Sequence, residues 1–383
     1  MHTNNTLKKL NLGVFSFPIG AAFVIPLSNL SRILSHFTEN VYVVTGKGGI
    51  IQADPNHIST QISETTSKQA NNIVIRIFNY FMLQIKISFY LIKLSRKIDS
   101  SIFFMEDGPI LPMTLSKILR KKIIWILPSN ISKNRNNTNI ILKTIDDLAI
   151  TMCRAISDQI VLYSTNLIQD WQLGKYKYKI FIAHEQFIDF DNFKMEDHIK
   201  NNAVIGFIGR FSEEKGILNF VKAMPLILKK RSDVGFLICG DGPLKTTIIE
   251  YLRKNSLQEK VDFHGWINHQ ELPRYFSNIR LLVMPSNTEG LPNIMLEAMA
   301  CSTPVLATKV GAIPSVITDS VNGLLMESNS PECISQNVLR ALNCRCLDEI
   351  AQNALVLVHK EFTFQKAVEA YYNVITSINQ CYK

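Results

Sequence analysis

Short runs of aliphatic and β-branched residues alternate with longer amphipathic stretches along the whole chain. Such alternation is typical of parallel α/β sheets that carry helices on both faces. It occurs twice, on either side of a polar and charged stretch at residues 189–202. The sequence therefore predicts two α/β domains, each with a parallel sheet and helices on both faces. The predicted strands are residues 12–17, 41–44, 102–105, 123–127, 159–163 and 180–183, then 204–208, 234–239, 261–264, 281–284, 305–307 and 323–325.

The chain length agrees with this division, because 383 residues exceed what one hydrophobic core usually organises. We predict a first domain over residues 1–198 and a second over residues 199–360. A C-terminal helix, at about residues 363–378, is expected within the last segment, residues 361–383. With 46% hydrophobic and 19% charged residues, the composition excludes intrinsic disorder.

An uncharged stretch near the start, residues 10–31, follows two lysines and permits two interpretations. It is either a signal peptide or membrane anchor, or a buried strand followed by a turn and a helix. Pro18, Pro26, Gly13 and Gly20 interrupt any spanning helix and favour the second interpretation.

The net charge of +9 is concentrated in the first half of the chain. Up to Asp197 there are 22 basic and 15 acidic residues, a net +7, which leaves +2 for the rest. Such asymmetry suits either an anionic partner or solubility alone. Residues 72–97 combine aromatic and aliphatic side chains with five basic ones, so they form either a membrane-interface helix or a helix packed on the sheet.

The seven cysteines are scattered, and their spacing is unlike that of metal-binding cysteine pairs. We therefore expect reduced thiols, as in cytosolic proteins. We therefore expect a cytoplasmic protein, either free or peripheral at the inner face of the cell membrane. Nucleic acid is not an expected partner, because the basic residues form no groove-reading motif.

Two loops carry candidate chemistry in the second domain. After the strand at 204–208 come Gly209, Arg210 and Lys215, whose cations suit a diphosphate at the carboxyl end of a strand. After the strand at 281–284 comes a loop with Glu289, and then a helix that contains Glu297. Free N–H groups at the start of that helix form a second anion site. Two carboxylates beside an anion site are electrostatically unfavourable unless each binds hydroxyl groups. A nucleoside diphosphate sugar supplies such hydroxyl groups.

Glu289 and Glu297, with seven residues between them and Gly209-Arg210 and Lys215-Gly216 before them, resemble the retaining glycosyltransferases of GT-B fold, family 4, also called group 1. Further matching blocks include 240–243, 263–265, 297–300, 308–311 and 322–324, so the likeness covers residues 203–341. The resemblance implies two Rossmann-like domains facing across a cleft, an acceptor domain followed by a nucleotide-sugar domain. It also implies that the C-terminal helix crosses back to the first domain.

The resemblance also implies roles for individual residues. Arg210 and Lys215 would hold the donor diphosphate and offset charge on the departing nucleotide, and Glu289 would contact the donor sugar. These three are the expected catalytic residues, and no metal or other cofactor is expected. The expected substrate-binding residues are Glu297 for the ribose, Ile267 for the base, and Gly20, Gly209, Gly290, Leu291 and Asn293 for the remaining donor contacts.

The first half resembles the family only in outline, so the acceptor-side group is not assigned. His184 follows a predicted strand, where a structural role is the more common one. Asp189-Phe190-Asp191 matches a metal clip of another glycosyltransferase fold, but three-residue acidic matches arise by chance.

The expected activity is retaining transfer of a sugar, from the hexosyl or another glycosyl class, to a glycan or glycolipid acceptor. This acceptor is lipid-linked or a growing surface glycan. Two alternatives stay open: a protein that binds the donor without transferring it, and a nucleotide-sugar epimerase of the same fold. A glycogen-synthase-like polymerase is a further possibility within that fold.

Overall fold

The computed structural model describes residues 10–16, 24–46, 57–61, 73–105, 108–128, 140–194 and 203–380. The chain forms two compact units. The first comprises Met1–Gln186 and Phe364–Lys383, and the second comprises Phe187–Thr363. The domain boundary predicted at residue 198 lies outside the described residues.

A parallel sheet of seven described strands forms the centre of the first unit. The strands are β1 (Asn11–Phe15), β2 (Asn40–Thr45), β3 (His57–Gln61), β4 (Ser100–Phe104), β5 (Lys122–Leu127), β6 (Gln159–Leu162) and β7 (Ile180–Ile182). Their order in the sheet is β3-β2-β1-β4-β5-β6-β7, with the switch of direction beside β1 that doubly wound folds share. Trp125, Phe15 and Phe103 are fully buried, because both faces of the sheet are covered.

Helices connect these strands, and the C-terminal helix joins this unit. Gln159 donates a hydrogen bond to Ser377 at 2.7 Å, and Phe37 packs edge-on against Tyr372. The helices are α1 (Val24–Ser35), α2 (Ile73–Leu94), α3 (Ile110–Ile118), α4 (Ile140–Ile156), α5 (Leu167–Asp170) and the C-terminal helix, numbered α13 below (Phe364–Gln380).

The uncharged N-terminal stretch contains β1 and the start of α1. Leu12, Val14 and Phe15 of the strand are buried, as are Leu27 and Leu30 of the helix. The predicted strand and helix are therefore confirmed, whereas the predicted turn between them lies outside the described residues. None of the helices within the described ranges combines the length and hydrophobicity needed to cross a membrane.

The second unit contains a parallel sheet of six strands in the order β10-β9-β8-β11-β12-β13. These are β8 (Val204–Ile208), β9 (Gly235–Cys239), β10 (Val261–His264), β11 (Leu281–Met284), β12 (Val305–Thr308) and β13 (Leu324–Met326). Its helices are α6 (Ile217–Leu228), α7 (Lys245–Lys254), α8 (Leu272–Ser277), α9 (Asn293–Ala300), α10 (Ile313–Val316), α11 (Pro331–Asn343) and α12 (Leu347–Glu361). All twelve predicted strands are present to within two residues, whereas β3 was not predicted.

The expectation of reduced thiols is wrong for one pair. Cys344 and Cys346 form a disulfide in the short connection between α11 and α12. Their Cα atoms lie 5.3 Å apart, within the usual range for a disulfide. Cys153 and Cys239 are free and buried.

Candidate functional site

Loops at the carboxyl ends of neighbouring strands meet in the second unit. The N–H of Gly209, after β8, donates to the carbonyl oxygen of Cys239 at the end of β9 over 3.0 Å. The N–H of Gly240 in turn donates to the carbonyl oxygen of Gly265, after β10, also over 3.0 Å. Ligands of open α/β sheets bind at this edge. The predicted donor loop at Gly209 therefore lies where such a site is expected.

Asn287 joins the β11 loop to the β8 loop through two hydrogen bonds. The 3-10 turn Glu213–Lys215 follows β8, and Asn287 follows β11. The backbone N–H of Asn287 donates to the carbonyl oxygen of Glu214 at 2.8 Å, and its Nδ2 donates to that of Glu213 at 2.9 Å. The turn that carries Lys215 is thereby fixed against the loop that carries Glu289.

Two glycines permit close approach of loops at this edge, Gly216 between the β8 and β11 loops and Gly311 between the β12 and β11 loops. Gly216 has a φ of 68°, and a Cβ at this position would overlap the carbonyl oxygen of Pro285. Gly311, with a φ of 56°, lies in the same way against the carbonyl oxygen of Glu289. Any other residue would be strained in the backbone and would also push the loops apart.

Lys215 and Glu289 form the central contact of the site. The Nζ atom of Lys215 lies 2.7 Å from Oε1 and 2.8 Å from Oε2 of Glu289. Glu289 is only 8% exposed, and Ser286 donates its hydroxyl to Oε1 at 2.7 Å. Charge-assisted hydrogen bonds compensate the burial of this carboxylate. An ammonium and a carboxylate thus lie together at the carboxyl edge of the sheet.

The next residues lead into α9. The carbonyl oxygen of Gly290 accepts a hydrogen bond from the N–H of Ala312 at 3.0 Å, and Leu291 is buried. Pro292 is the extended N-cap, so the helix begins at Asn293. No described side chain caps this end of the helix. The first N–H groups and the positive end of the helix dipole therefore suit an anion, as the sequence predicts.

Glu297, on the buried face of α9, contacts a histidine that sequence reasoning did not select. His269 Nε2 lies 2.8 Å from Glu297 Oε1. The His269 ring also packs edge-on against the buried Phe193, with 5.0 Å between ring centroids. The hydrogen bond with Glu297 raises the pKa of His269 above its ordinary value, and Asp189 adds to this effect. The only signal in the sequence is that His269 stands two positions after Ile267, the residue expected near the base.

Arg210 is not joined to this group of residues by any described contact. Its guanidinium forms an ion pair with Glu214, four residues later, and its side chain is 54% exposed. Lys215 and Glu289 are therefore brought together, whereas Arg210 has a local acidic partner. Since the Arg210 side chain is long and half-exposed, exchange of this partner for a ligand anion requires only a side-chain rotation.

The other predicted residues have different environments. Ile267 is half-buried in the loop after β10, beside the exposed Trp266. Gly20 lies outside the described residues. The Asp189 carboxylate accepts the N–H of Asp191 at 3.2 Å, as in an Asx turn. Within the described ranges, no group of three or more His, Cys, Asp or Glu side chains has the arrangement of a metal site.

Residues 189–355 match the family model described as "Glycosyl transferases group 1". The chain is 32% identical over 162 residues to a glycosyltransferase of Methanocaldococcus jannaschii, covering 42% of this chain and 44% of that protein. It is 29% identical to the capsular polysaccharide biosynthesis glycosyltransferase CapM of Staphylococcus aureus, covering 50% and 52%. The matched segments therefore span about half the length of these curated relatives.

The fold has solved counterparts over its full length. The chain is similar to Anabaena HepE, crystallised in complex with UDP and glucose, with a TM-score of 0.73 and 15% identity. This match covers 96% of the chain and 100% of HepE, and at that identity it concerns the fold alone. The predicted GT-B class, with two parallel-sheet α/β domains, is confirmed. Segment 189–355, somewhat less than half of the chain, is therefore similar to the group 1 glycosyl transferases.

Proposed function

We propose that this protein is a retaining glycosyltransferase that uses a nucleoside diphosphate sugar as donor. The observation that carries the proposal is the contact between Lys215 and the buried carboxylate of Glu289 beside the start of α9. It combines a mobile cation, a fixed acceptor of hydroxyl hydrogen bonds and the free amides of a helix. A sugar diphosphate needs these three groups within a short distance.

In the proposed reaction, the bond between the anomeric carbon and the diphosphate oxygen breaks as charge develops on the leaving group. Lys215 and Arg210 offset that charge, which lowers the barrier. The acceptor oxygen attacks on the face that the nucleotide leaves, so the configuration is retained. The acceptor proton passes to the departing diphosphate. No metal ion or other cofactor enters this scheme.

Donor binding would rearrange two ion pairs, Lys215–Glu289 and Arg210–Glu214. Lys215 turns from Glu289 to the diphosphate, and Glu289 then accepts hydrogen bonds from the sugar hydroxyls. Glu297 likewise accepts the ribose hydroxyls while His269 fixes its orientation, and Ile267 faces the base. The backbone comes close to the bound donor at Gly209, Gly290, Leu291 and Asn293.

The proposed acceptor is a glycan or glycolipid, either lipid-linked or growing at the cell surface. CapM, by its name, acts in capsular polysaccharide biosynthesis, and HepE was crystallised with UDP and glucose. These likenesses support a UDP-sugar as the first donor to examine.

The first experiment measures the melting temperature of the full chain with UDP-, GDP- and ADP-sugars. A bound donor stabilises the fold by mass action. The best donor is then incubated with and without a panel of lipid and glycan acceptors, and the products are analysed for linkage and anomeric configuration. The Lys215→Met variant is the matched control.

Three other outcomes contradict the proposal. Stabilisation without any turnover indicates a protein that only binds the donor. Interconversion of nucleotide sugars without an acceptor indicates an epimerase. An inverted product rules out the retaining mechanism.

A further inference from the structure

Helix α2 of the first unit carries a row of apolar side chains on its solvent face. We call it the α2 stripe, and it consists of Phe78, Phe81, Ile85, Phe89 and Ile92. Phe78, Phe81 and Phe89 are 61%, 57% and 63% exposed. Successive members are three or four residues apart, so they share one face of the helix. Large aromatic side chains at such exposure mark an interaction surface when they are contiguous.

The opposite face of α2 is fixed to the first unit. Ile87, Leu91 and Leu94 are buried. Gln84 accepts a hydrogen bond from the N–H of Leu111 at 2.9 Å, and Tyr80 donates its hydroxyl to the carbonyl oxygen of Gly108. The stripe therefore cannot turn inward without breaking this packing, and its exposure is set by the fold.

The charges beside the stripe have one sign. Residues 72–97 contain five basic and no acidic residues. Lys93, Arg96 and Lys97 are exposed, and Lys86 is half-buried. Among the described residues, none of the ion pairs involves these four side chains. The neighbouring helix α3 adds the exposed apolar residues Leu111 and Ile118, and it too has no acidic residue.

We propose that the α2 stripe is a docking surface for an anionic phospholipid bilayer, with the helix lying along the headgroup region. Aromatic side chains enter the boundary between headgroups and acyl chains, while the lysines and arginines pair with anionic lipids. A second copy of the chain fits this face poorly, because it would bring the same positive charges against it. Spanning is incompatible with the buried, hydrogen-bonded Gln84.

This inference concerns the first unit and does not depend on the donor site. Its test is flotation of the full chain with vesicles of phosphatidylcholine alone and with added phosphatidylglycerol. We expect binding to the mixed vesicles that weakens as salt rises, because exposed charges are screened within about 10 Å at ordinary ionic strength. Absence of binding to phosphatidylglycerol vesicles at low salt overturns the proposal.

Two variants assign the binding to this surface. Phe78→Ser/Phe81→Ser/Phe89→Ser should abolish flotation. Lys86→Gln/Lys93→Gln/Arg96→Gln should weaken it by on the order of 100-fold, given the usual contribution of each basic residue near an anionic surface. The charge control is Lys222→Gln/Lys229→Gln/Lys230→Gln, at three exposed lysines of the second unit. The apolar control is Val356→Ser, at an exposed valine on α12. Both control variants should bind the vesicles as the parent does.

The remaining outcomes are also decisive. An equal loss of binding in the control variants means that the stripe is not the docking surface. Light scattering that shows a dimer, dissociated by the three Phe→Ser changes, identifies a second copy as the occupant and contradicts the proposal. Circular dichroism checks that each variant is folded. If the aromatic variant does not fold, the charge variant still decides the question.

Discussion

Lys215 and Glu289 are 74 positions apart in the sequence, yet the Nζ atom of the lysine lies 2.7 Å from Oε1 of the glutamate. Two loops from the carboxyl ends of β8 and β11 make this contact possible. Both groups that are proposed to contact the donor are therefore neutralised by each other before the donor arrives. The ion pair keeps the site ordered and must be exchanged when a diphosphate binds.

The first prediction concerns Lys215→Met, which removes the ammonium but keeps the length of the side chain. Sugar transfer should fall by about 10²- to 10³-fold, the usual effect of removing one preorganised charge donor from a reaction centre. Stability should fall by about 1–3 kcal/mol, because the Glu289 carboxylate then stays buried with one partner fewer. Initial rates and urea denaturation measure the two effects.

A double variant separates these effects. Lys215→Met/Glu289→Gln leaves no unpaired buried charge, so it should recover stability relative to Lys215→Met. Its transfer rate should stay low, because the cation is still absent. Recovery of the rate together with stability would show that Lys215 acts only on the fold.

The second prediction concerns Arg210, whose half-exposed guanidinium pairs with Glu214. Arg210→Ala should leave the melting temperature unchanged, since an exposed pair of this kind contributes about 0–1 kcal/mol. Transfer should nevertheless fall by about 10²- to 10³-fold. Glu214→Gln, which frees the guanidinium, should bind the donor at least as tightly as the parent in calorimetric titration. A normal rate in Arg210→Ala would assign Arg210 to the surface ion pair alone.

Hydrophobic pattern was sufficient to predict most of the fold. Nine of the twelve predicted strands lie in the interior of the sheets, where burial on both faces demands continuous apolar runs. Strand β3 was not predicted, because His57–Gln61 contains a single aliphatic residue. It lies at the sheet edge and pairs only with β2. The other edge strands, β7, β10 and β13, were predicted because each retains apolar residues that the pattern detects.

The candidate site was predictable in its residues but not in its pairings. Lys215 and Glu289 could be selected because each follows a strand at the same sheet edge. The partner of Arg210 depends on the local turn, and the contact of His269 with Glu297 depends on how the β10 loop packs on α9. Such contacts arise from tertiary structure, and no residue spacing encodes them.

The third prediction is a pH dependence that belongs to His269 and Glu297. The pKa of His269 is raised above 6.5, chiefly by its hydrogen bond to Glu297. The stabilisation from this pair is therefore fully present below the unfolded pKa, and it is lost as pH rises through the raised folded pKa. The difference in unfolding free energy between the parent and His269→Gln should be larger at about pH 6 than at about pH 9. Glu297→Gln should remove the same dependence, and a difference that is equal at both pH values would contradict it.

Glu185, three residues after the end of β7, gives a pH dependence of its own in the first unit. The side chain is fully buried, and its Oε1 accepts the hydroxyl of Tyr163 and the Nε2 of Gln186, the latter at 3.1 Å. Its Oε2 is buried and has no hydrogen-bond partner among the described residues. Burial raises the pKa of Glu185 from 4.5 to about 8. The carboxyl is therefore protonated at neutral pH.

The fourth prediction follows from this protonation. Between pH 4.5 and about 8 the folded chain holds a proton at Glu185 that the unfolded chain has released, so the free energy of unfolding falls as pH rises. The glutamine side chain in Glu185→Gln is neutral at every pH, so the free energy of unfolding of the variant does not fall in this way. The stability of the variant relative to the parent should thus increase by up to about 1.4 kcal/mol per pH unit in that interval. Urea denaturation of both proteins at about pH 5 and about pH 8 measures it. The neighbouring His184, whose pKa burial lowers to about 4, is present in both proteins, so its effect cancels in the comparison. A relative stability that is constant with pH would mean that Glu185 is ionised in the folded protein.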